Sequence, residues 1–82
     1  MDEATKKQWQ VTSTRLIISI GKQLHIKKED QIIMMMYLNT PKRIKMFSDW
    51  VKSKMENNKV NSTLEEVMQA ANIIANGRMP DF

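Results

Sequence analysis

The 82-residue sequence predicts an all-α fold, a small four-helix bundle with a Pro-punctuated central helical hairpin. Three observations predict it. Apolar residues recur at spacings near 3.6 along most of the chain, the period that gathers them on one face of a helix. Asn39-Thr40-Pro41 closes one such pattern and opens the next within three residues, since proline disfavours helical geometry at the residue before it and suits a first helical position. Ser62-Thr63-Leu64-Glu65 has the form of a capping box, with Ser62 as N-cap and Glu65 three residues on. One domain covers residues 1–82, with helices at about 4–24, 29–38, 41–57 and 63–76 and a tail at 77–82.

The first helix is read from Trp9, Leu16, Ile17, Ile20 and Leu24, with Lys6, Lys7, Arg15 and Lys22 mostly off that stripe. Its local chemistry pulls the other way. Val11 to Thr14 and Ile17 to Ile20 are rich in β-branched residues, and Arg15, Ile17 and Ser19 alternate with Leu16, Ile18 and Ile20 as in a strand. Gly21 either ends this element or interrupts it. Glu29 and Asp30 then supply negative charge where a helix N-terminus favours it.

From Ile32 to Leu38 the second helix is apolar without a break. Successive helical residues point about 100° apart, so Met34, Met35 and Met36 face three directions and the helix needs cover on every side. The third helix puts Ile44, Phe47, Val51 and Met55 on one stripe, Met46 and Trp50 beside it, and Lys42, Lys45, Asp49, Lys52, Glu56 and Lys59 opposite. It is expected to reach Asn57, where Asn57-Asn58 opens a loop. The fourth helix aligns Leu64, Val67, Met68, Ala71, Ile74 and Ala75, with Gly77 after Asn76 as its natural stop.

Composition narrows the function classes. The chain has no cysteine and one histidine, His25, and its two glycines leave no phosphate-cradling loop. Neither a disulfide framework nor thiolate metal ligation is open to it. Glu29/Asp30 and Glu65/Glu66 are adjacent pairs that diverge on a helix and converge on no common atom. We therefore expect no enzyme, no cofactor, no metal and no small-molecule substrate. The acidic start Met1-Asp2-Glu3 and the shortness of the longest apolar run give no signal peptide or membrane span, and the expected compartment is cytoplasmic. The net charge of +4 is uneven: residues 1–59 hold twelve Lys/Arg against six Asp/Glu.

Two features remain that bear on function. The first is methionine, eight in 82 residues. Met fills gaps and also forms adaptable binding surfaces, and three short amphipathic helices can hardly enclose a fourth on every side. Met34, Met35 and Tyr37 are thus candidates for contact with a partner, a homodimer being the economical solution. The second is a basic and aromatic edge on helix three, where Arg43, Phe47, Trp50 and Lys54 follow i, i+4, i+7 and i+11. The functional expectation is a small protein-interaction module or accessory factor presenting a Met-rich apolar surface with a basic rim. The alternative is a dimeric DNA-binding regulator in which Arg15, Lys42, Lys45 and Lys52 meet nucleic acid. If residues 13–20 are a strand, the strand–helix–helix order resembles ribbon-helix-helix regulators, and that resemblance implies Arg15, Ile17 and Ser19 facing bases in the major groove. The long Gly21–Lys28 connection and the extra fourth helix depart from the pattern.

Overall fold

A computed structural model describes residues 3–82; the side chains of residues 3–6, 9, 10 and 13, Trp9 among them, lie outside the described set. The elements run α1 (Glu3–Leu24), α2 (Lys28–Tyr37), α3 (Pro41–Ser53), β1 (Met55–Glu56), β2 (Lys59–Val60) and α4 (Leu64–Ala75). The fold is mostly all-α, with one very small antiparallel ribbon among the described residues.

Residues 13–20 belong to α1, not to a strand. Tertiary packing outweighs their β-branched preference: Ile17 and Ile20, three apart, are both buried in the common core. Gly21 neither ends nor interrupts the helix. A Cβ there would stand 2.6 Å from Gln31 Nε2, and that amide donates to the Ile26 carbonyl at 3.0 Å. Glycine thus makes room for the side chain that fixes the next turn. The stop comes at His25, in the left-handed region at φ 55°, with the Ile26 N–H donating to the Gly21 carbonyl at 2.9 Å. This is the Schellman arrangement, with histidine where glycine is usual and the apolar residue after it, Ile26, tucked inside.

In α2 only one side turns inward, through Met34 and then Leu38 just past its end. In α3, Thr40 accepts from the Arg43 N–H at 3.3 Å and Pro41 takes the first position, as the sequence predicts. Ile44, Phe47, Trp50 and Val51 are buried. This helix ends at Ser53, a turn short of the expected Asn57. Asn57 and Asn58 both take positive φ, 52° and 63°, the pair of left-handed residues a tight two-residue hairpin requires. Met55 pairs with Val60 and Glu56 with Lys59 across that turn. The hairpin is anchored to α1, since Gln23 Oε1 accepts the Val60 N–H at 2.9 Å and Val60 itself is buried.

The capping box of α4 sits one residue later than the sequence reading. Thr63 is the N-cap; its hydroxyl accepts the Glu66 N–H at 3.1 Å, and Glu66 Oε1 accepts the Thr63 N–H at 3.0 Å. The core face is Val67, Ala70, Ala71 and Ile74, while Leu64, Met68 and Ala75 are half-buried. Gly77, at φ 81°, terminates the helix, with its N–H donating to Ile74 and that of Arg78 to Ile73.

Both α1 and α4 pack on α2 and on α3. The middle helices are consecutive in sequence, yet the principal contacts of each are with α1 and α4, so Pro41 marks a corner more than a closed hairpin. The tail returns to the core at Phe82, whose ring meets Trp50 edge-on at 5.9 Å, while Met79 stays exposed.

Candidate interaction surfaces

The apolar girdle of α2 is divided by the fold. Met34 is fully buried, Met35 and Tyr37 are half-buried, and Met36 is 67% exposed. Ile32 and Ile33 join Met36 on the outside, at 50% and 38%. With Glu29 these residues follow i, i+3, i+4 and i+7, within an arc of roughly 100° on the side of α2 away from Met34 and Leu38. Lys28 stands at one edge of the stripe. Burying large aliphatic side chains in water-free contact is worth about 1.5–3 kcal/mol each, so the stripe is where α2 has most to gain from a cover.

The basic and aromatic edge of α3 is resolved differently. Phe47 and Trp50 are interior, 0% and 2% exposed, with their rings stacked at 6.1 Å and 24°. The Trp50 indole N–H donates to the main-chain oxygen of Phe82 at 3.0 Å. Lys54 Nζ lies over the Trp50 ring at 6.0 Å, and Arg43 Nη1 donates to Asn39 Oδ1 at 2.8 Å. Arg43, Phe47 and Trp50 share one side of α3 and Lys54 follows just past its end; the aromatic pair fills the core and the two cations flank it. Met34, Phe47 and Trp50 therefore present no surface to a partner in this fold. Sequence spacing could not separate the two outcomes, because an aromatic stripe looks alike from either side.

Of the nucleic-acid candidates, Lys42, Lys45 and Lys52 are exposed and share one face of α3. Asp49 stands among them and pairs with Lys45 at 3.1 Å. Arg15 lies on α1, away from that face. There it lines a shallow open groove of about 450 Å³ together with Lys7, Val11 and Thr14. Lys7, Val11, Arg15, Ile18 and Lys22 are all exposed and fall within an arc of roughly 80°, on the far side of α1 from Ile17 and Ile20. This stripe is absent from the sequence-based candidates except for Arg15; its signal was the run of residues left over once the core face of α1 is assigned.

No cluster of three or more His, Cys, Asp or Glu that could hold a metal ion occurs among the described residues. No described helix is long and apolar enough to cross a membrane. No protein-family model, curated protein or solved structure matches the chain.

Proposed function

We propose that the chain is a small protein-interaction module, its four helices closing as a bundle around one core and its working surface the outer stripe of α2. The observation that carries this reading is the exposure of Ile32, Ile33 and Met36 side by side on one helix face. Single exposed apolar side chains are ordinary, whereas a contiguous set with charge at its edge is the usual character of a contact surface. The Met-rich character predicted for it shrinks to Met36 and the half-buried Met35, and the basic rim to Lys28.

Paired interaction screens with the wild-type chain and with Ile32→Glu/Met36→Glu as baits test it. Both positions are exposed, so the variant should keep its helical signal and thermal midpoint. Partners recovered with the wild type should be lost with the variant; identical sets from both baits would sink the reading.

The alternative, a DNA-binding regulator, no longer has a ribbon to work with, because Arg15, Ile17 and Ser19 lie on a helix. What supports it is the Lys42, Lys45 and Lys52 face. Anisotropy of a labelled random-sequence duplex at about 50 and 200 mM salt decides it: several phosphate contacts would show as a steep loss of affinity between the two.

A further inference from the structure

We infer that the partner for α2 is a second copy of this chain, with the Glu29, Ile32, Ile33 and Met36 stripe of one molecule seated along the Lys7, Val11, Arg15 and Ile18 stripe on α1 of the other. The inference rests on the reading of α2 as a contact surface and names its occupant.

Charge, length and placement all point this way. The α1 stripe alternates cations with aliphatic side chains, Val11 being 49% and Ile18 40% exposed. Among the described residues, its groove offers Lys7 and Arg15 and no acid. The α2 stripe offers the opposite sign within it, Glu29, beside three aliphatic side chains, with Lys28 at its edge. No ion pair engages Lys7, Arg15 or Glu29 among the described residues. At 1.5 Å per residue, Glu29 to Met36 spans about 10 Å and Lys7 to Ile18 about 16 Å, so the α2 stripe fits within the length of the α1 stripe. Within one molecule they cannot meet. The two helices pack on each other through other faces, and each stripe points away from the core that its own helix helps to form. Two copies related by a two-fold axis satisfy both stripes of both chains at once and leave neither stripe open to a third.

Sedimentation equilibrium of the full chain over roughly 1 µM to 1 mM protein tests this. The apparent mass should climb from 9.6 kDa toward twice that value. Association should weaken on the order of tenfold in high salt, and about as much in Glu29→Lys. Adding Lys7→Glu or Arg15→Glu to Glu29→Lys should restore it, a rescue that misfolding cannot produce; circular dichroism checks helix content in each variant. A wild-type chain that stays monomeric throughout overturns the inference, and so does a reversal that neither second change rescues. A monomeric result does not decide the α2 surface itself, which stands or falls by the paired screens.

Discussion

His25 shows how a residue suggestive of chemistry can serve the backbone. As the sole imidazole it is the natural suspect for proton transfer, yet its position is set by geometry: it ends α1 in the left-handed region, with its side chain exposed. A Cβ in that region costs on the order of 1 kcal/mol, which glycine avoids at some cost in unfolded-state entropy. His25→Gly should therefore leave stability unchanged or raise it, by up to about 1 kcal/mol, with the slope of a urea titration unaltered. A loss of more than that would mean that the ring itself is engaged. Gly21 is the complementary case. Its sequence signal suggested a break, and only the path of the Gln31 side chain explains why glycine sits inside a continuing helix. Such a demand comes from a residue ten positions away, and no local pattern carries it.

At the level of elements, legibility followed the strength of the local chemistry. Thr40-Pro41 placed the start of α3 correctly because N-cap and proline act within one turn. Asn76-Gly77 likewise placed the end of α4. The end of α3 was missed, since Met55 and Glu56 continue a helical pattern and only the paired left-handed asparagines force the chain into a hairpin. The cap of α4 was misplaced by one residue because Ser62 and Thr63 are both competent caps with a glutamate three residues on. The Thr63 choice has a measurable consequence. The Thr63 backbone N–H, and after it the Thr63 hydroxyl, holds the Glu66 carboxyl below its ordinary pKa. A carboxylate lowered by folding adds stability above its unfolded pKa and loses it as pH falls through the folded value. The thermal midpoint should thus drop on acidification through the carboxylate range, and part of that drop should vanish in Glu66→Gln, which keeps the capping geometry without the titrating group.

For the molecule as a whole, the sequence argument that one helix could not be covered by three others has a structural counterpart in Ile32, Ile33 and Met36. What it could not supply was direction. Which of Met34, Met35 and Met36 faces outward depends on how α2 rotates against α1 and α4, and that is settled by packing across the whole chain. The same holds for α1, whose outer stripe appears only once Ile17 and Ile20 are known to point inward.

The tail contact at Trp50 adds a property of another kind. Because the indole N–H is bound to the Phe82 main-chain oxygen, its proton is shielded only while the tail lies down. A tail docked through Phe82, with Met79 and Asp81 exposed, opens with a free energy below that of global unfolding. The exchange rate of that single proton in heavy water is therefore a clock for the tail alone, independent of the slower one kept by the backbone amides of the core.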